Sequence, residues 1–259
     1  MIEQLGPLFD MLREHLWHGV VVFLRVAAVV MLLPAFGEHA VPIRVKLILA
    51  FAFTMIVAPA IPVQEVDIDN KFHQFVILLL SETVNGLALG LGFRLVIMAL
   101  QTAGVIAAQA LSLSQILGGA GVDPIPALGH VLVTAGLALA VMAGLHTHSA
   151  RAMILSYSVL PLGQFPLPRN LTPWGVDQIT RSFSLAFGLA APFMIVSLLY
   201  NLTLGVINRA MPQLMVAFVG APVITLGGLI LLMLLAPLIL TAWVDALGSF
   251  SASPFDALR

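Results

Sequence analysis

FVILLLSETVNGLALGLGFRLVIMALQTAGVIAAQALSLSQIL, Phe75–Leu117, decides the fold. It carries one acid, Glu82, and one base, Arg94, and it contains no polar loop. A membrane crossing takes about 20 apolar residues, so the stretch is too long for one span. Two readings stand. Either it folds back as a hairpin near Arg94, or Phe72–Leu117 is one helix of about 70 Å at 1.5 Å rise per residue. A chain alone in lipid favours a hairpin with a polar turn. The missing turn points to protein neighbours around this segment.

The same character extends outward. Val20–Leu33, Leu47–Ile61, Val131–Leu145, Leu185–Ile207 and Leu214–Val244 are apolar nearly all round. Such helices must be buried in lipid or in other helices. A spanning β-barrel needs strands of alternating polarity, and none are visible. The composition agrees: 60% of residues are hydrophobic, 9% are charged and the mean hydropathy is +1.07. The expected class is all-α and membrane-associated, one domain over residues 1–259, with room for about six spans. A net charge of −1 offers no basic field for nucleic acid, and without cysteine there is no disulfide frame, thiolate nucleophile or Cys-based metal site. Glu3, Asp10, Arg13 and Glu14 precede the first apolar block, unlike the basic start of a signal peptide, so no cleaved signal is expected.

Breaks organise the rest. Pro34 and Gly37 end the first block, and Arg44 and Lys46 follow; by the positive-inside rule that end faces the cytoplasm. Pro62–Lys71 is acidic and lies on the far side. Gly118-Gly119-Ala120-Gly121-Val122-Asp123-Pro124 is a strong loop signal. Ala152–Val159 is too short to span. Pro161, Pro166, Pro168 and Pro173 suggest a long irregular connection over Pro161–Trp174.

Catalytic constellations are absent from the pattern. There is no nucleotide-binding loop, Gly-x-Ser-x-Gly or His-Glu-x-x-His. His146-Thr147-His148 sets its two rings about 200° apart on a helix and has no carboxylate nearby, so neither a metal nor a cofactor is expected. Arg25, Glu82 and Arg94 are the charges embedded in apolar blocks. Intramembrane charges mark ion paths or structural pairs, and a structural role is expected here. Glu82 reaches Arg94, twelve residues on, only across a bend. Gly86-x-x-x-Gly90 and the stripe Ala103, Gly104, Ala107 and Ala108 mark close helix packing, within the chain or with partners.

Three stretches carry a family resemblance. They are Leu24-Arg25-Val26 through Pro34-Ala35-Phe36-Gly37 to Val41–Lys46; Gly90–Arg94 through Gln101–Gly104 to Asp123-Pro124; and Asn201–Gln213, with Asn208, Arg209, Pro212 and Gln213, leading to Val219-Gly220-Ala221-Pro222. In order, and over nearly the whole chain, they resemble the FliR family of flagellar export proteins, relatives of the SctT subunit of type III secretion systems. Gly144–His148 departs from the family's usual turn, and the stretch before Asp123 is unusually glycine-rich.

The resemblance implies a non-enzymatic subunit of an export gate in the bacterial inner membrane, within the flagellar basal body. Its fold is helical hairpins of non-standard topology, assembled with FliP-like and FliQ-like subunits, alongside FlhB-like and FlhA-like export proteins and membrane lipid. Unfolded flagellar proteins are the cargo. The resemblance also makes Leu111–Ile125 a pore plug: Leu111, Leu113, Ile116 and Leu117 for the apolar seal, Gly118, Gly119 and Gly121 for the loop, and Asp123 and Pro124 at its end. The alternatives are a stand-alone proton-coupled secondary transporter with Glu82 and Arg94 in its path, and a membrane-embedded enzyme with a His site.

Overall fold

The computed structural model describes residues 6–63, 72–110, 127–211 and 216–256; side chains are described for 13–63, 75–110, 129–211 and 223–256. Among them are seven α-helices and no strand: α1 (Gly6–Leu32), α2 (Ile43–Val57), α3 (Phe72–Ala110), α4 (Ala127–Met142), α5 (Leu145–Val159), α6 (Pro168–Ala210) and α7 (Val216–Ala252). A short 3-10 turn, Ala58–Ala60, extends α2. Five helices are long and apolar enough to cross a membrane, or six if Gly129–Met142 and Leu145–Val159, bent by 73° at their junction, count as one broken span.

The hairpin reading of the long segment fails. α3 runs unbroken for 39 residues through Arg94, about 58 Å along its axis. The irregular connection expected over Pro161–Trp174 is also shorter than the prolines suggest, because α6 starts at Pro168. Pro168 takes the first helical position, where a missing N–H costs nothing and φ is already set. The N–H groups of Asn170 and Leu171 then bond the Leu167 carbonyl at 2.9 and 3.0 Å.

Two compact units emerge. The first comprises Met1–Arg94, Gly144–Gln178 and Leu247–Arg259; the second comprises Leu95–Ala143 and Ile179–Ala246. In the first, α1 buries Val21, Val22, Arg25, Val26, Val29 and Val30, and Leu33 is buried just beyond its end. That pattern of adjacent pairs four residues apart makes one face of a helix. It meets α3 where α3 has no side chains: a Cβ on Gly86 would strike the Arg25 carbonyl oxygen and come within 2.9 Å of Ala28, and one on Gly90 would sit 3.0 Å from Leu32. The end of α7 returns to this unit. Phe250 packs edge-on against Phe93 at 5.0 Å, and Trp174 donates to the Pro254 carbonyl at 2.9 Å while its ring lies 5.2 Å from Phe255.

The second unit centres on Trp243, which is fully buried and donates to the Val96 carbonyl at 2.7 Å. Gly136 leaves room for that ring: a Cβ there would lie 2.6 Å from Leu100 and 3.3 Å from the indole. Gly104 sits against Gly129 of α4, where a Cβ would lie 2.6 Å from the Gly129 Cα. The small-residue stripe therefore has an occupant within the chain at Gly104, and Ala103, Ala107 and Ala108 are buried beside it. Outward, the bulky aliphatic side chains of α6 and α7 are exposed, among them Leu198, Leu202, Val206, Leu226, Met233 and Leu238.

Candidate functional site

The inward face of α3 carries polar residues among apolar ones such as Leu89, Phe93, Ile97 and Leu100, while other bulky apolar residues face outward. Ser81, Glu82 and Asn85 are fully buried, while Leu80, Leu87, Leu91 and Met98 are exposed. This arrangement, polar groups kept inside and bulky apolar residues on the outer face, is what a lipid or protein surround selects. It delivers the Glu82 carboxylate to Arg25, which the α1 stripe has turned toward it.

The pair is bidentate. Arg25 Nε donates to Glu82 Oε2 at 2.8 Å and Arg25 Nη2 to Oε1 at 2.9 Å, and both side chains are 0% exposed. Arg25 Nη1 donates to Ser156 Oγ at 3.2 Å and to the Leu160 carbonyl at 2.9 Å. Glu82 Oε1 also accepts the Gly163 N–H at 2.9 Å. Gly163 has φ +76°, which glycine adopts without a Cβ penalty. Asn85 Nδ2 donates to the Gln164 carbonyl at 3.0 Å, and the Tyr157 ring covers the guanidinium with its centroid 3.7 Å from Cζ. A buried ion pair holds only when its remaining donors and acceptors are satisfied. Here the turn after α5 supplies them, so one cluster ties α1, α3, α5 and residues 160–164 together.

Arg94 is placed elsewhere. Its Nη1 donates to Glu38 Oε1 at 2.8 Å, with the two side chains 25% and 23% exposed; Glu82 is joined to Arg25 instead. Partly exposed pairs contribute little. Glu38→Gln is expected to lower stability by less than about 1 kcal/mol, measured by thermal unfolding in detergent.

Of the other residues singled out above, Asn208 and Arg209 are exposed near the end of α6. Pro212, Gln213 and all of Leu111–Ile125 lie outside the described residues. His146 and His148 are exposed in the first turn of α5, and the described residues hold no group of three or more His, Cys, Asp or Glu able to bind a metal. Sequence reasoning missed Ser156, Tyr157 and the backbone of Leu160 and Gly163. No local motif announces them, since backbone groups and a ring face carry no sequence signature.

Long apolar helices closed around a buried ion pair define a polytopic α-helical membrane protein. Residues 16–250 match the family described as bacterial export proteins, family 1. The flagellar biosynthetic protein FliR of Caulobacter vibrioides is 31% identical over 229 residues, 88% of this chain and 91% of its own length. FliR of Escherichia coli is 32% identical over 225 residues, 83% of each chain, and FliR of Aquifex aeolicus is 28% identical over 222 residues, 84% of each. The chain belongs to the FliR family of bacterial export proteins. It is a component of the flagellar export apparatus, and the stand-alone transporter reading finds no support.

Proposed function

We propose that the chain is a non-enzymatic gate subunit that assembles with FliP-like and FliQ-like subunits into the channel for unfolded flagellar proteins. FlhB-like and FlhA-like proteins are its further neighbours, and the complex sits in the bacterial inner membrane at the flagellar basal body. The family match over residues 16–250 carries this reading. Two physical features support it. The α3 helix is longer than the roughly 30 Å hydrocarbon core of a bilayer, which suits a subunit embedded in protein. The charges inside its first unit are engaged with one another, which suits a scaffold.

The gate element in this reading is Leu111–Ile125, between the end of α3 at Ala110 and the start of α4 at Ala127. Three glycines within Gly118–Gly121 would each cost a helix about 1 kcal/mol relative to alanine, which suits a gate element. Leu111, Leu113, Ile116 and Leu117 are the residues proposed as its apolar seal, and Asp123-Pro124 closes the proposed segment. Deleting Gln115–Val122 is expected to leave assembly intact and to make the membrane leak ions and small molecules, read by conductance or dye uptake. Tight membranes around an assembled deletion variant would refute the plug.

A further inference from the structure

We infer that a cleft between α1 and α2 is a binding site for an anionic phospholipid. Ala27 and Val30 of α1 and Leu47 and Ala50 of α2 give it an almost wholly apolar wall, and the only charged residues lining it are Arg44 and Lys46. Its volume is about 190 Å³ and it opens to the surface. Small-molecule pockets run from about 300 Å³ upward and enclose most of their ligand. A smaller open groove suits a length of acyl chain lying along two helices.

The headgroup end follows from charge. Lys46 Nζ donates one bond, 2.9 Å, to the Gly37 carbonyl, and so is held at the start of α2. Arg44 is exposed, and no described residue pairs with it. The nearby acid Glu38 is engaged by Arg94. Two basic residues line the apolar groove and no acid does, which complements a phosphodiester joined to acyl chains. Basic pockets between spanning helices hold anionic headgroups by this same chemistry, and the guanidinium fork matches phosphate oxygens. Ile43, exposed beside Arg44, extends the apolar surface on which a second chain would rest.

The test uses the full chain in its purified membrane complex, in mild detergent, titrated with phosphatidylglycerol or phosphatidylcholine and read by native mass spectrometry. Phosphatidylglycerol is expected to bind at least tenfold more tightly than phosphatidylcholine. Arg44→Gln with Lys46→Gln should abolish that preference, and Arg44→Lys with Lys46→Arg should keep it. Equal retention of both lipids by the wild type, or an unchanged preference in the Gln variant, would overturn the site. If the Gln variant fails to assemble, a photo-crosslinking amino acid replacing Leu47 decides the matter. Crosslinks to phospholipid are expected; crosslinks to a protein subunit alone would mean that a partner fills the cleft and would refute the proposal.

Discussion

Glu82→Ala is expected to destabilise the chain by about 3–5 kcal/mol, the cost of leaving a buried charge without its partner, and to abolish export with it. The substitution strips Arg25 of both bidentate bonds and leaves the Gly163 N–H with no acceptor, in a place with no exposure to water. Glu82→Asp keeps the charge on a shorter arm and should be milder. Removing both partners is the informative control. Arg25→Met with Glu82→Leu leaves no stranded charge, and apolar replacement of a buried pair is often close to neutral. The double variant should therefore recover part of the loss, although Leu160 and Gly163 lose their bonds in it. The readouts are the amount of assembled complex, thermal unfolding in detergent and motility. Glu82→Gln separates this account from a proton path. Full assembly with export uncoupled from the proton gradient would show that the carboxylate titrates in transport, and the scaffold role would fall.

The second large effect is expected at the α3–α4 crossing. Gly104→Leu with Ala108→Leu should prevent assembly, with each insertion costing about 1–3 kcal/mol or more in a tightly packed core. At Gly104 the obstacle is the Gly129 backbone at 2.6 Å from the added Cβ, and backbone cannot rotate out of the way as a side chain can. Because Gly129 belongs to the same chain, the failure should show first as poor folding of the second unit, and supplying partner subunits in excess should not rescue it. Gly188→Ala is the matching control. Nothing lies within 4 Å of a Cβ there, and alanine in a helix interior gains about 0.5–1 kcal/mol over glycine. Normal folding and motility in the Gly104/Ala108 variant would show that the crossing is looser than its geometry.

Much of this was legible in the residues, for identifiable reasons. All-round apolar blocks cannot be soluble helices, so the helical membrane class followed directly. The first half of the inward face of α3 was marked by Glu82, Asn85, Gly86 and Gly90 on one stripe, although Leu89 and Phe93 share that buried face and carry no such mark. Pairings were harder. Glu82 and Arg25 are 57 residues apart, and Arg94 and Glu38 are 56 apart. Nothing local distinguishes Arg25 from Arg94 as the partner of Glu82. The choice between hairpin and long helix was open because glycines and Arg94 are compatible with either, and packing decided it: Gly86, Gly90 and Gly92 are seats for α1 and Phe250 rather than breaks. Four prolines exaggerated the loop after α5, since Pro168 starts a helix rather than ending one.

The central claim, that this chain works as one subunit of a multi-protein export gate, is tested most directly by purifying the tagged chain from its native membrane in mild detergent and weighing the complex by native mass spectrometry. The account predicts a defined hetero-oligomer containing other small helical membrane subunits. A monomer, or an oligomer of this chain alone, would contradict it.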